Sequence, residues 1–229
     1  MASPLAETEA ALDAAGLSLR GALSAARYDA LVPPAWRTAA LLPEARTVLV
    51  LGSGGRALWS ALRAAPELGA ASDPVDTYTA RVVGTLARAL AGVGHPSRGL
   101  YPSEQRGGAF ADFVSLAREA GLGAPSRLGL LLHPTYGPWL SIRAVLLTAV
   151  ECPTGAPLSG FEPCVGCAAP CADACPGSAI GPQGISARVC YDTQLKEPAC
   201  ALRCNARHAC VIGQEHAYAA EAEAHHMSA

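Results

Sequence analysis

Four cysteines fall within twelve residues, Cys164-Val-Gly-Cys167-Ala-Ala-Pro-Cys171-Ala-Asp-Ala-Cys175, and proline follows the last of them. Thiolates at this density hold soft metal ions. A run of four cysteines ending in Cys-Pro is the pattern of bacterial ferredoxins, in which the fourth cysteine serves a different cluster from the first three. One gap departs from that pattern, because three residues separate Cys167 from Cys171 where two are usual. A second set follows at Cys190, Cys200, Cys204 and Cys210. Eight cysteines in two sets point to two cubane 4Fe–4S clusters, with a single cluster or zinc as the alternatives. By the crossed ferredoxin pattern, Cys164, Cys167, Cys171 and Cys210 hold one cluster, and Cys175, Cys190, Cys200 and Cys204 hold the other. The ninth cysteine, Cys152, reads as a small buried hydrophobe.

All nine cysteines lie between positions 152 and 210, and the first 151 residues contain none. A disulfide framework would spread them along a short secreted chain. The segregation divides the protein into a cysteine-free part and a small module whose economical role is one-electron delivery. The cysteine-free part is then expected to hold what is reduced.

The elements that must position these residues read as alternating helices and strands. Residues from about 5 to 31 are helix-rich, with breaks near Gly16 and Gly21 and a stop at Pro33-Pro34. Thr47 to Leu51 is a buried strand, and Gly52-Ser-Gly-Gly55 turns it into a helix from about Arg56 to Ala65. Asp73-Pro-Val-Asp76 starts another helix, with Asp73 as its cap. A helix from about Ala109 to Ala120 is expected to bury Phe110, Phe113, Val114 and Ala117. Leu128 to His133 and Trp139 to Val150 read as two strands of a hairpin, joined by Pro134-Thr-Tyr-Gly-Pro138. The Pro and Gly cluster from Pro153 to Pro163 is the natural boundary, and an Ala/Glu/His tail begins near Glu215.

Composition excludes several classes. With 51% hydrophobic and 16% charged residues the chain has a core and is not disordered. Its net charge is −2, from 17 Lys+Arg against 19 Asp+Glu, which argues against binding driven by phosphate neutralisation. There is no apolar run of membrane-spanning length and no signal-like start, so the expected location is the cytoplasm, with no membrane or nucleic-acid partner. Gly52-Ser-Gly54-Gly-Arg-Ala57 matches a dinucleotide fingerprint, G-x-G-x-x-A, but in a Gly- and Ala-rich chain it reads more simply as a tight turn. His133 stands before a proline at a strand end, the usual place of a structural hydrogen-bonding residue. Tyr136 and Trp139 stand at a turn, where aromatic rings pack a core or line a flat ligand. Arg143, between Ile142 and Ala144, needs an anionic partner, structural or from a ligand.

The stretch Leu131-Leu-His-Pro-Thr-Tyr-Gly-Pro-Trp-Leu-Ser-Ile-Arg-Ala-Val-Leu-Leu147 resembles the H-P-x-[FY]-G-x-W-x-x-I-R-x-V segment of the CblC (MMACHC) cobalamin-processing family. Ala30-Leu-Val-Pro-Pro-Ala-Trp36 and Asp73-Pro-Val-Asp76 resemble two further segments of that family, in order. CblC has no cysteine module. The combination with a C-terminal cysteine module resembles epoxyqueuosine reductase and the reductive dehalogenases, which also bind cobalamin on a nitroreductase-like domain. The resemblances imply an α+β fold: a cobalamin-binding, nitroreductase-like α/β sandwich at 1–155, a ferredoxin-like double 4Fe–4S module at 156–214, and a tail at 215–229. They imply a corrin site that includes Leu131 and Ile142, a glutathione carboxylate at Arg143, and base-off binding with no histidine on cobalt; Tyr101, His133, Tyr136 and Trp139 complete the candidate cobalamin-binding set.

The expected function is an oxidoreductase that reduces cobalamin and removes its upper ligand, by decyanation or dealkylation, using cluster electrons from an unidentified donor. The alternatives are a cobalamin-dependent reductase of an organic substrate, with Tyr101, Tyr136 or His133 as proton donor, and a non-enzymatic cobalamin chaperone. Epoxyqueuosine reductases carry an acidic proton donor in a V-D-T-G-P segment. The aligned stretch here, Arg106-Gly-Gly-Ala-Phe110, has no acid, which argues against tRNA modification.

Overall fold

The structure, a computed structural model, describes residues 4–70 and 72–228. It opens with helix α1 (Pro4–Ala14), strand β1 (Leu19–Ser24) and helix α2 (Ala25–Asp29). The short α3 (Thr38–Leu41) leads into strand β2 (Thr47–Gly54), then α4 (Ala57–Leu62), α5 (Glu67–Ala70) and the long α6 (Pro74–Gly92). Strand β3 (Ser97–Leu100) and helix α7 (Phe113–Glu119) precede β4 (Ala124–Pro125), β5 (Leu131–Leu132) and β6 (Leu140–Thr148). The cysteine-rich part carries α8 (Pro170–Asp173), β7 (Ile180–Gly181), β8 (Gly184–Ile185), α9 (Ala187–Lys196), α10 (Asn205–His208) and α11 (Ala220–Ser228).

Two compact units interleave along this chain. A sheet unit comprises Met1–Leu122 and Ser141–Pro157, and a cysteine unit comprises Gly123–Leu140 and Leu158–Ala229. The sheet unit ends at Pro157, and the eighteen-residue excursion Gly123–Leu140 packs with the cysteines.

The sheet unit is mixed α/β, built on strands in the order β1-β2-β6-β3. β1 and β2 are antiparallel with Leu19 opposite Gly52, and β3 and β6 are antiparallel with Leu100 opposite Val145. Every residue of β2 is buried, as its unbroken run Val48–Leu51 requires. Helix α6 starts where Asp73 accepts a hydrogen bond from the Asp76 amide at 3.0 Å, with Pro74 in its first turn.

Several local expectations change. Leu19 to Ser24 is a strand within the segment read as helical: Gly16, at φ 76°, ends α1, and β1 then pairs with the Thr47–Gly52 part of β2. The two glycines of the G-x-G pattern continue β2 rather than turning it. A Cβ on Gly52 would stand 2.6 Å from the Ser141 carbonyl oxygen, so this glycine answers close strand packing, not a phosphate. Helix α7 begins at Phe113, capped by Asp112, which leaves Phe110 and Val114 exposed (58% and 53%) while Phe113, Leu116 and Ala117 form the buried stripe. The expected hairpin does not form: β5 pairs with β4 in its own two-stranded sheet while β6 joins the main sheet, and only His133 and Gly137 bridge across the turn.

Candidate metal centre

The eight candidate cysteines belong to the cysteine unit, and none is in a disulfide. Cys171 lies at the start of α8, Cys190 within α9, and Cys204 caps α10, so short helices and the turns between them present the sulfurs. The extra residue in the Cys167–Cys171 gap is absorbed at Ala169, whose left-handed backbone (φ 58°) precedes α8. A non-glycine residue adopts that conformation at a cost of about 1–2 kcal/mol, which the surrounding packing has to offset. Leu128, Cys171, Ile180 and Ala206 form the buried heart of the unit, with Cys175, Cys204 and Cys210 packed against it.

The thiols sort into two groups. Burial pushes the Cys171 thiol up, and neighbouring Cys210 and Cys164 push it further. Burial likewise raises Cys210, with Cys164 and Cys167 beside it. These four line one apolar pocket together with Leu128, Leu132 and Ile212. In the other group, burial raises Cys190, beside Cys204 and Cys175, and raises Cys200, beside Cys204, Cys190 and Cys175. The Ala179 amide donates to the Cys175 sulfur at 3.4 Å. Crowded thiols that resist ionisation in water are poised to ionise onto a metal, where the cation replaces the missing solvent. Among the described residues no three Cys, His, Asp or Glu side chains stand close enough to grip one ion.

The remaining candidate residues divide between the units. In the cysteine unit Leu131 is buried in β5. His133 Nδ1 accepts from the Thr135 amide at 3.0 Å, and the Tyr136 amide lies 3.3 Å away. Burial and the nearby His216 hold the His133 pKa below the ordinary value, so the ring stays neutral and serves as an acceptor. Tyr136 packs edge-on to His216, ring centroids 4.7 Å apart. Trp139 is 1% exposed and is a packing residue: His208 meets its ring at 4.7 Å, Tyr218 at 5.4 Å, and the Arg207 guanidinium lies 4.5 Å from its centroid. In the sheet unit, Tyr101 donates its hydroxyl to the Ala80 carbonyl at 3.3 Å, and burial raises its pKa. Ile142 and Arg143 lie in the partly exposed leading half of β6, whose following residues, Ala144 to Thr148, are fully buried.

Arg207, His208 and Glu223, which the sequence did not single out, hold the cysteine unit together. Arg207, 9% exposed, donates from Nε and Nη2 to the Pro138 carbonyl at 3.2 and 2.6 Å. Glu223, 2% exposed, accepts from the Cys204 amide at 3.1 Å and pairs with His208 Nε2 at 2.7 Å. They lie in or near the segment read as a tail, which is helical at α11 and packs through Tyr218, Ala222 and Glu223.

No protein-family model and no curated protein sequence matches the chain. Among the described residues no helix is long and apolar enough to cross a membrane. The fold is similar to that of solved reductases. An epoxyqueuosine reductase matches with a TM-score of 0.62 at 14% identity, over 97% of this chain and 70% of that one. A catabolic reductive dehalogenase, solved with 3-bromo-4-hydroxybenzoic acid, matches with a TM-score of 0.59 at 17% identity, over 91% of this chain and 33% of that one. A reductive dehalogenase described for B12-dependent dehalogenation matches at 0.56 and 17%, over 80% and 28%. At these identities the likeness is one of fold.

Proposed function

We propose that this protein is a reductase that draws electrons from two 4Fe–4S clusters and delivers them, through cobalamin, to a small organic substrate. The observation that carries the reading is the sorting of eight thiols into two groups of four. Cys164, Cys167, Cys171 and Cys210 would hold one cluster, and Cys175, Cys190, Cys200 and Cys204 the other. The residues fit such groups: the donors are all thiols, the walls at Leu128, Leu132 and Ile212 are apolar, and a backbone amide already faces the Cys175 sulfur. When bound, clusters of this kind supply one-electron transfer at potentials set by burial and by hydrogen bonds to sulfur. The chain's own contribution is to exclude water from the first thiol group and to stabilise added charge near Cys175.

Cobalamin is supported by the fold likeness to a structure described for B12-dependent dehalogenation and by the Leu131–Leu147 stretch. The leading half of β6 is the partly exposed part of the strand, where apolar Ile142 and cationic Arg143 alternate to opposite faces, so one or the other would meet a large ring with polar edges. Arg143 is the residue that would take a carboxylate, from glutathione or from the substrate. Of the three proton-donor candidates, His133 is the poorest, since its ring is held neutral with Nδ1 accepting. Tyr101 keeps its proton at neutral pH, the state in which a general acid must wait.

The fold likeness favours reduction of an organic substrate over processing of the cobalt ligand itself. The second reading keeps one specific support, the Leu131–Leu147 stretch. Anaerobic titration of iron-reconstituted protein with cyanocobalamin, before and after dithionite, tests both, with dithionite alone as control. Expected are a base-off spectral shift and, with a halogenated phenol present, halide release that depends on protein and cobalamin together. Cyanide release without turnover of any organic substrate would transfer the conclusion to ligand processing. Absence of a spectral shift at any protein excess would refute the cobalamin reading.

A further inference from the structure

Helix α10 is only four residues long, yet it joins the two thiol groups: Cys204 caps its start and Cys210 follows two residues after its end. Its placement therefore sets where one group lies relative to the other. A helix of one turn has no stability of its own and must be held from outside. Arg207 ties it to the Pro138 carbonyl, and Glu223 of α11 reaches both ends, accepting from the Cys204 amide at 3.1 Å and pairing with His208 Nε2 at 2.7 Å. A carboxylate that is 2% exposed is costly unless its oxygens are satisfied, and both are, each by a different end of α10.

Resting on the two-cluster reading above, we infer that Glu223 is a positioning residue for the Cys175/Cys190/Cys200/Cys204 group. It fixes Cys204 through its backbone amide and spans α10 to His208, so that the two groups keep one separation. It also places a buried negative charge beside that group, which opposes the arrival of an electron there. Tyr218, 8% exposed and 5.4 Å from the Trp139 ring, secures the chain leading into α11.

The test compares wild type, Glu223→Gln and Glu223→Ala in the full chain after anaerobic reconstitution. Iron and sulfide are counted, midpoints are measured by potentiometry, and the fully reduced protein is examined by electron paramagnetic resonance. Glutamine retains an acceptor for the Cys204 amide. It is expected to keep the full iron complement, while the midpoint of one cluster moves to higher potential and the other stays. Alanine is expected to retain about half the wild-type iron, as one cubane of two, and to lose the line broadening that two neighbouring reduced clusters impose on each other. Full iron with unchanged broadening in the alanine variant overturns the inference, as do two unchanged midpoints in the glutamine variant. Wild-type protein that binds less iron than two cubanes, roughly eight atoms, counts against the two-cluster reading itself and not against Glu223.

Discussion

Replacing Arg207 by alanine removes a guanidinium that is almost fully buried and satisfied by three neutral groups. It donates twice to the Pro138 carbonyl and lies 4.5 Å from the Trp139 ring centroid and 4.6 Å from that of Tyr218. A hydrogen bond from a charged donor contributes about 1.5–3 kcal/mol, and a desolvated cation–π contact about 1–2 kcal/mol. One cation shared by two rings does not count twice in full, so the expected loss is about 3–4 kcal/mol. The change is read locally by native-state hydrogen exchange at His208 and Ala209, whose amides close α10 onto the Cys204 and Asn205 carbonyls. Their exchange should quicken by between two and three decades, at about 1.4 kcal/mol per decade. Arg207→Met keeps the stem but not the charge and should recover only the packing part; Arg207→Lys keeps a charge that cannot lie flat between two rings. Exchange within threefold of wild type in the alanine variant, or full protection in the methionine variant, would refute the reasoning.

Gly137→Ala should destabilise the cysteine unit by at least about 3 kcal/mol, because the new Cβ would lie 1.9 Å from the Ile212 carbonyl oxygen at a left-handed φ of 54°; exchange at α10 again measures it, and a neutral result would mean that the two loops are further apart than described. Serine substitutions should reveal the grouping by iron counts: Cys164→Ser with Cys171→Ser costs no more iron than either alone, whereas Cys171→Ser with Cys200→Ser removes nearly all. Glu119 is buried between Arg27 and Arg118, which hold its carboxyl below the ordinary range. A depressed folded pKa means that this stabilisation is complete above the ordinary glutamate value and is lost as pH falls through the folded one. Glu119→Gln should therefore flatten the acid limb of the stability profile, measured by denaturant unfolding from neutral pH downward, and an unchanged limb would show that the ion pairs contribute nothing.

What was legible in the chain was the part governed by local chemistry. Asp73-Pro74 marked the start of α6, because a helix cap depends on residues within one turn of each other, and the run Cys164–Cys175 marked a dense thiol cluster for the same reason. What depends on distant partners was not. Leu19 to Ser24 carries no strong strand alternation and becomes β1 only because β2 lies alongside. Trp139 looks like a ligand-facing aromatic until Arg207, His208 and Tyr218, some seventy to eighty positions later, close around it. Glu223 lies in an Ala- and Glu-rich segment whose polarity reads as solvated, and only the approach of Cys204 and His208 makes it a buried acceptor.

The excursion Gly123–Leu140 also has a consequence for the order in which the protein can acquire structure during synthesis. Trp139 leaves the ribosome well before Arg207, His208 and Tyr218 have been added, so its indole must wait exposed, or in a provisional contact, until they follow. Strand β6 begins at the next residue, so the nascent sheet carries that unsatisfied aromatic at its entry. The brace on Cys204 then waits for α11, and a ribosome that stalls before Glu223 would leave a product with all eight thiols and no brace for Cys204. Such a chain is the natural target of a quality-control protease, which would tie the abundance of the protein to completion of α11.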